Sequence, residues 1–181
     1  MSNKSEAGQF LYGYRSVWLP HTLLEKNNQK KLADALFSAS RYWSATLHFN
    51  KGLAGAPPEE VAAAKNTAIN PDVLNAFALA IIAGEGEPAF TGIAGHEPDV
   101  TEGRHEAERI NKAMDELKKI APNAGSYVSE SDFFEQKWQQ SFWGSNYQQL
   151  TAIKKSTILK VSSLSTTVLA AKDGVMTALP G

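Results

Sequence analysis

The residues best able to do chemistry in this 181-residue chain lie between positions 127 and 147. Tyr127 is followed two residues later by the polar Ser129. Six large rings come next, at Phe133, Phe134, Trp138, Phe142, Trp143 and Tyr147. A tyrosine can exchange a proton with substrate when its surroundings lower a pKa that is ordinarily about 10. Tyr127 is therefore the first candidate for a catalytic group.

The spacing of the rings allows two interpretations. Phe134, Trp138 and Phe142 recur every four residues, which places them on one face if the segment is helical. Trp143 and Tyr147 form a second pair with the same spacing. The rings either dock a C-terminal helix onto a core, as buried aromatic side chains commonly do, or line an apolar pocket for a flat cofactor or substrate.

Other reactive residue types are dispersed. The histidines stand at His21, His48, His96 and His105. None has the spacing of a helical metal pair and no carboxylate cluster accompanies them, so we predict no metal site. We interpret them as structural or solvated, with a catalytic dyad through His48 or His96 as the alternative. The absence of cysteine excludes disulfides, thiolate catalysis and cysteine-ligated metals.

The composition is that of an ordinary single domain. The chain is 43% hydrophobic and 20% charged, with a net charge of -1. This charge gives no global field for nucleic acid or an acidic membrane. No stretch approaches the roughly 20 apolar residues of a membrane helix, and the polar start MSNKSEAGQF lacks the apolar core of a signal peptide. We therefore expect neither nucleic-acid nor membrane partners, and the compartment stays undetermined.

The first half of the chain predicts a strand, a helix and a second strand. Residues 9–19 are rich in aromatic and β-branched types and stop at Pro20, which indicates a strand. Thr22 and Glu25 have the spacing of a capping box, so a helix is expected to begin there. Its apolar stripe consists of Leu24, Leu32, Ala35, Leu36 and Ala39. From residue 43 to 49 the pattern alternates, with Trp43, Ala45, Leu47 and Phe49 on the buried side and Ser44, Thr46 and His48 on the other.

The second half continues with a strand, a helix and a short strand. Residues 76–83 form a continuous apolar run whose length favours a buried strand, although periodicity alone does not exclude a helix. Residues 107–120 carry one apolar face and predict a helix, and residues 126–129 predict a strand. The fold class predicted is α+β, a mainly antiparallel sheet covered on one face by helices, with a C-terminal aromatic helical segment and an irregular tail.

Several motifs in this order resemble a known family. The segment contains YVSE at 127–130, Trp138, FWGSNY at 142–147, then Leu150 and Lys154. This pattern resembles the C-terminal signature of berberine bridge enzyme-like FAD-linked oxidoreductases, in particular fungal isoamyl alcohol oxidase-like proteins. The stretches RSVWLP at 15–20 and HFNKG at 48–52 are similar to substrate-domain strands of that family. The resemblance covers residues 8–155.

The resemblance implies a two-domain flavoenzyme of which this chain is the substrate-binding part. FAD would be held by a larger domain that this chain lacks, and the sheet would cover the isoalloxazine ring. Tyr127 would face the active site, and Ser129 stands where the family has asparagine. We predict that four residues face substrate or flavin: Ser129, His48, Trp143 and Asn146. The partners expected are a small-molecule substrate and a separate flavin-domain polypeptide.

The resemblance also divides the chain into three parts. Residues 1–7 are expected to be a flexible N-terminus, 8–155 the substrate-binding domain with its berberine-type motif, and 156–181 an aberrant, poorly ordered tail. A back-translation of the tail read one nucleotide out of frame spells family-like residues, so we hypothesise a frameshift after Lys155. Two functions stay open at this point: a fragment of an FAD-dependent oxidase acting on alcohols or secondary metabolites and inactive alone, and a non-catalytic binding module.

Overall fold

A three-stranded antiparallel sheet lies at the centre of the fold. The computed structural model describes residues 8–51, 53 and 55–158. The strands are β1 (Phe10–Pro20), β2 (Thr46–Phe49) and β3 (Ala76–Gly86), arranged in the order β1-β3-β2. The apolar run at 76–83 is therefore a strand. β3 is the central strand because β1 and β2 both pair with it, and most of its residues are buried. The α+β prediction is confirmed.

The first face of the sheet is covered by two helices. Val17 pairs with Ala80 and Arg15 with Ile82, so these side chains share this face. The helices are α1 (Lys26–Ser40) and α3 (Val100–Ile120). Their apolar stripes close the main core, which includes Leu32, Ala35, Ala39, Ile110, Ala113, Met114 and Leu117. Leu32, Ala35, Leu36 and Ala39 thus lie where the 3.6-residue period places them. Leu24, which was predicted in the same stripe, lies in the turn before α1 and is 47% exposed.

The start of α1 differs from the capping box expected at Thr22 and Glu25. Residues His21–Leu24 form a 3₁₀ turn, and α1 begins only at Lys26. Glu25 has an extended backbone at the N-cap, and no side chain caps the helix there. The capping-box prediction is wrong because the chain must turn off the end of β1 at Pro20 before it can enter a helix, and the 3₁₀ turn makes that corner.

Strand β2 is shorter than the alternating pattern suggested. The strand contains four residues, and Phe49 at its end is 78% exposed rather than buried. Trp43, Ala45 and Leu47 do pack against the main core, with Trp43 and Ala45 lying before the strand. The pattern therefore identified the inward side correctly except at Phe49, which lies beyond the cover of the helices.

Residues 126–129 are not a strand. Only two backbone hydrogen bonds link this region to its neighbours in extended form: Trp18 N–H donates to Gly125 O at 2.9 Å, and Ser126 N–H donates to Ser141 O at 2.8 Å. At Tyr127 the chain turns, because Glu130 N–H donates to Tyr127 O at 2.9 Å. The strand prediction was wrong because β1 offers this segment one backbone donor and no continuing ladder.

The structure contains three more helices among the described residues, and they agree in part with the predicted aromatic helical segment. They are α2 (Pro58–Lys65), α4 (Trp138–Trp143) and α5 (Tyr147–Ile158). The C-terminal aromatic segment is helical as predicted. Phe134, however, precedes α4 and is 75% exposed, so it does not share a helix face with Trp138 and Phe142.

Among the described residues, those from 8 to 147 belong to one unit and those from 148 to 158 belong to another. The predicted flexible terminus at 1–7 and all but the first residues of the predicted tail, from 159 onward, lie outside the described residues. None of the described helices combines the length and the apolar character needed to cross a membrane.

Candidate functional site

The second face of the sheet carries the candidate site. It is defined here by Tyr14, Ser16 and Trp18 of β1, Leu79 and Ile81 of β3, and Thr46 and His48 of β2. The register places Trp18, Leu79 and His48 in one cross-strand row and Ser16, Ile81 and Thr46 in the next. Trp18, Leu79 and Ile81 are buried in a small apolar cluster against which Tyr14, Val73 and Tyr127 pack. The second face is therefore an apolar floor with aromatic groups at one side and His48 at the other.

The backbone amide of Tyr127 is held on this face by a pair of serine hydroxyls. Ser16 Oγ and Ser126 Oγ are 2.7 Å apart, and Tyr127 N–H donates to Ser16 Oγ at 3.2 Å. The Tyr127 ring lies 6.2 Å from the Trp18 ring, tilted by 54°, and is half-buried. Of the predicted site residues, Tyr127 is thus the one that packs directly against the second face.

The buried carboxamide of Asn70 fixes the segment that precedes Tyr127. We call Asn70, Asp72, Gly125 and Ser141 the Asn70 network. Asn70 is 2% exposed, its Nδ2 donates to Ser141 O at 2.8 Å, and its Oδ1 accepts from Asp72 N–H at 3.0 Å. Asp72 Oδ2 in turn accepts from Gly125 N–H at 2.7 Å. One loop before β3 therefore binds both ends of the segment from residue 125 to 141.

The two glycines beside Asn70 leave room for this carboxamide. A Cβ added to Gly125 would lie 2.5 Å from Ser141 O and closer still to Asn70 Nδ2. A Cβ added to Gly144 would lie 2.8 Å from Asn70 Oδ1, and Gly144 also has a φ of 52°. Gly144 sits in the FWGSNY motif, so part of that motif serves to receive Asn70.

Asn146 performs a similar structural task. It is buried, and its Nδ2 donates to three backbone oxygens, those of Lys65, Thr67 and Ile69, at 2.9, 2.8 and 3.0 Å. The amide nitrogen of this residue therefore anchors the loop that leads to Asn70. Since Nδ2 already donates to the loop, only Oδ1 could accept a hydrogen bond from a ligand. A role of Asn146 toward substrate or flavin stays a prediction.

Trp143 lies in an aromatic cluster of its own. Its ring is 5.7 Å from Trp138, 5.7 Å from Phe142 and 6.1 Å from Tyr147, mostly edge to face. Trp138 also meets Tyr147 at 5.5 Å. All four rings are half-buried. The pairing predicted across Gly144 is thus confirmed as a contact, and an orientation of Trp143 toward flavin stays a prediction.

The remaining predicted residues are solvent-exposed. Ser129 follows Tyr127 in the turn, and His48 lies on β2 two strands from Trp18, about 10 Å across the sheet. The structure therefore brings Tyr127 and His48 onto the same side of the sheet, at its two edges. It does not pair either of them with Trp143 or Asn146 in a described contact.

Sequence reasoning missed the residues that organise this site. The sequence predicts Trp18 and Tyr14 only as part of a strand, and Asn70 is not among the predicted site residues. The period of two along β1 would have placed Tyr14, Ser16 and Trp18 together on one face. No local pattern reveals the role of Asn70, because the carbonyl oxygens that its Nδ2 binds, those of Gln140 and Ser141, are 70 and 71 residues away in the sequence.

Tyr14 carries the perturbed ionisation on this face. Burial raises the pKa of its hydroxyl above the ordinary 10.0, and the nearby negative charge of Glu130 raises it further. The neutral phenol is therefore the form present at neutral pH, and Tyr14 can donate a hydrogen bond but is not poised as a base. A proton acceptor on this face must be sought among the other residues.

We predict that Tyr14 makes folding stability fall in alkali. Its pKa is higher folded than unfolded, so the native state binds more protons above about pH 10 and stability declines as pH rises through the raised pKa. Tyr14→Phe should make this decline shallower, measured by urea unfolding between about pH 9 and pH 11. Some decline should remain because the pKa of Tyr12 is also raised, by burial and then by Glu102. An unchanged slope in Tyr14→Phe would contradict the assignment.

No group of three or more potential metal ligands was found among the residues that the structure describes. The four histidines accordingly do not converge there. His21 Nδ1 lies 2.8 Å from Asn75 O, His96 contacts the ring of Phe90, and His105 pairs with Glu106. Structural or solvated roles account for these three contacts.

Part of this chain is similar in sequence to a known family and to two FAD-linked oxidoreductases. Residues 126–157 match the family model described as berberine and berberine like. The FAD-linked oxidoreductase ffsJ of Aspergillus flavipes is 35% identical over 49 residues, which are 27% of this chain and 8% of that protein. The FAD-linked oxidoreductase ZEB1 of Gibberella zeae is 38% identical over 45 residues, 25% of this chain and 8% of that protein.

A solved structure gives the same fold over a longer stretch. The crystal structure of the VAO-type flavoprotein MtVAO713 from Myceliophthora thermophila C1 superimposes with a TM-score of 0.56 at 19% identity, covering 83% of this chain and 24% of that one. The matched share of each relative is thus small. The chain thus carries a segment, residues 126–157, that is similar to the berberine-like family model, and 45 to 49 of its residues are similar to FAD-linked oxidoreductases.

Proposed function

We propose that this chain is the substrate-facing part of an FAD-dependent oxidoreductase that oxidises an alcohol or a secondary metabolite, and that it is inactive without a flavin-binding polypeptide. The observation that carries the proposal is the position of Tyr127: the first residues of the berberine-like segment hold it against the second face of the sheet. Helices α1 and α3 cover the first face. On the second face the half-buried Tyr127 and the exposed His48 are the side chains that a partner or ligand could reach.

The second face suits a flat ring better than a phosphate. Trp18, Leu79 and Ile81 offer an apolar floor, and Tyr127 offers an aromatic edge, which together match an isoalloxazine ring or an apolar substrate. Tyr14, as a neutral phenol, supplies a donor for a ring oxygen or nitrogen. These are the residues that would contact the flavin ring or the substrate above it.

The helices α1, α2 and α3 offer no N-terminal binding site for the pyrophosphate of FAD. Helix N-termini bind pyrophosphate through free amides and a positive dipole end. Here α2 has Glu59 and Glu60 in its first turn, and α3 has Asp99 at its N-cap and Glu102 in its first turn. Glu25 occupies the N-cap of α1. Acidic groups at all three starts repel phosphate, which supports a separate polypeptide as the holder of FAD.

Within this arrangement each residue has a defined task. A bound FAD would accept a hydride from the substrate carbon. Tyr127 would orient the substrate hydroxyl by a hydrogen bond, and the hydroxyl proton would pass to solvent at the exposed edge of the face as the hydride departs. The apolar floor would exclude water, and the Asn70 network would keep Tyr127 in register with the floor. His48, exposed at the opposite edge, would contact polar groups of the substrate.

The alternative is a non-catalytic binding module. The exposed rings of Phe133 and Phe134, 5.2 Å apart, favour it because they present apolar surface that catalysis does not require. In that case the chain binds a separate flavin-domain polypeptide or an apolar ligand and contributes no group to chemistry.

Production of the chain with and without a flavin domain separates these possibilities. We expect the chain alone to be colourless, and to copurify with stoichiometric flavin when produced with the flavin-binding part of a fungal relative. Oxygen consumption with a panel of alcohols should then be lost in Tyr127→Phe while flavin content is unchanged. Retained turnover in Tyr127→Phe supports the binding module, and a stoichiometrically yellow chain without a partner overturns the proposal.

A further inference from the structure

The indole of Trp18 has a buried donor with no acceptor. Trp18 is 8% exposed, and its Nε1 is buried without a hydrogen-bond partner among the described residues. Buried side-chain donors are nearly always satisfied in folded proteins, so each exception calls for a physical reason. A buried, unpaired N–H costs free energy because its bond to water is lost on folding.

The other core tryptophan shows what a satisfied indole looks like in this fold. Trp43 Nε1 donates to Ala83 O at 2.7 Å, on the side of the sheet covered by the helices. The two indoles thus differ in their side of the sheet and in whether the donor is used. The unused donor lies on the second face, where the berberine-like segment brings Tyr127.

We propose that Trp18 Nε1 is the specificity donor of a ligand subsite on the second face, and that it binds the carbonyl oxygen of an aromatic ligand. The inference deepens the function proposed above by naming the acceptor and the class of molecule. Leu79 and Ile81 form the apolar floor for the ring, and the half-buried Tyr127 forms its aromatic wall. An aryl carbonyl is also the product class expected from oxidation of an aryl alcohol.

Ligand access to Nε1 requires a side chain packed on the second face to move, and the proposal assigns this movement to Tyr127. The Nε1 atom has essentially no exposed surface, and Tyr127 is the half-buried aromatic neighbour of Trp18. A half-buried ring can rotate about its side-chain torsions without unfolding the sheet, because such rotamer changes are fast and local. The backbone of Tyr127 stays fixed meanwhile through Ser16 and Ser126.

Two probes of the same shape test the donor directly. Acetophenone has a carbonyl oxygen, and α-methylstyrene replaces that oxygen with a CH₂ group. Each is titrated into the ¹⁵N-labelled full chain while the indole N–H resonances are followed, with Trp18→Phe and Trp43→Phe used to assign them. We expect acetophenone to move the Trp18 resonance downfield, to leave that of Trp43 in place, and to bind about fivefold more tightly than α-methylstyrene.

Binding of the two probes to Trp18→Phe completes the test, with Trp43→Phe as the control. Trp18→Phe keeps an aromatic ring but removes the donor, so the two probes should bind it equally, while Trp43→Phe should keep the preference for acetophenone. Equal binding of the probes to the unaltered chain, or no binding of either, overturns the proposal without requiring any variant to fold. Because no flavin is present, this outcome is independent of whether the chain associates with a flavin domain.

Discussion

Gly125→Ala should lower the free energy of unfolding by about 3 kcal/mol, because the new methyl group overlaps Asn70 and Ser141 O at once. Either the carboxamide leaves Ser141 or the segment before Tyr127 moves away from Asp72 and β1. Both responses leave buried polar groups unpaired. Urea unfolding followed by circular dichroism measures the loss.

Gly92→Ala is the matched control for this prediction. Gly92 has a φ of 83° and nothing within 4 Å of an added Cβ, whereas Gly125 does not adopt a positive φ. Gly92→Ala should cost about 1 kcal/mol from backbone strain alone. If Gly125→Ala were no more destabilising than Gly92→Ala, the close packing around Asn70 would not be a major source of stability.

Asn70→Asp should destabilise the chain by about 3 kcal/mol although it changes almost no volume. The amide that donates to Ser141 O at 2.8 Å becomes a carboxylate oxygen facing that carbonyl and, at 3.4 Å, the carbonyl of Gln140. A buried charge facing acceptors has no compensation. The backbone amide of Ser126, which also donates to Ser141 O, should exchange with solvent faster.

The same chemical change at Asn111 should have little effect. Asn111 is exposed and its Oδ1 already accepts from Arg15 at 2.8 Å, so Asn111→Asp keeps the acceptor and adds charge opposite a guanidinium. We expect its unfolding free energy to stay within about 0.5 kcal/mol of the unaltered chain. Equal losses in the two variants would show that the direction of the Asn70 hydrogen bonds does not matter.

The variants Gly125→Ala and Asn70→Asp also bear on the proposed function. The Asn70 network holds the segment that carries Tyr127, so a local release of this segment should weaken acetophenone binding even where the sheet remains folded. The network lies away from α1 and α3, whose burial against the first face does not depend on it. Stability and ligand binding therefore report on two different consequences of one buried carboxamide.

Local periodicity was sufficient for the elements with strong patterns. The length of the apolar run at 76–83 correctly predicted a strand, and the apolar stripe at 107–120 correctly predicted the longer part of α3. The first turns of α3, from Val100 after the N-cap Asp99, were not predicted. Where several geometries satisfy the same pattern, the sequence misled us. Thr22 and Glu25 fit a capping box, yet the corner after β1 required a 3₁₀ turn.

The sequence by itself determined the α+β composition, the helical aromatic segment and the likeness of residues 127–154 to the berberine-type motif, because these depend on residue types at short range. Tertiary structure alone decided that Tyr127 packs on Trp18, that Asn146 donates hydrogen bonds to a loop, and that Asn70 binds a segment about 70 residues away. The physical reason is that a buried polar group is satisfied by whichever partner the packed fold brings within about 3 Å, and sequence distance does not constrain that partner.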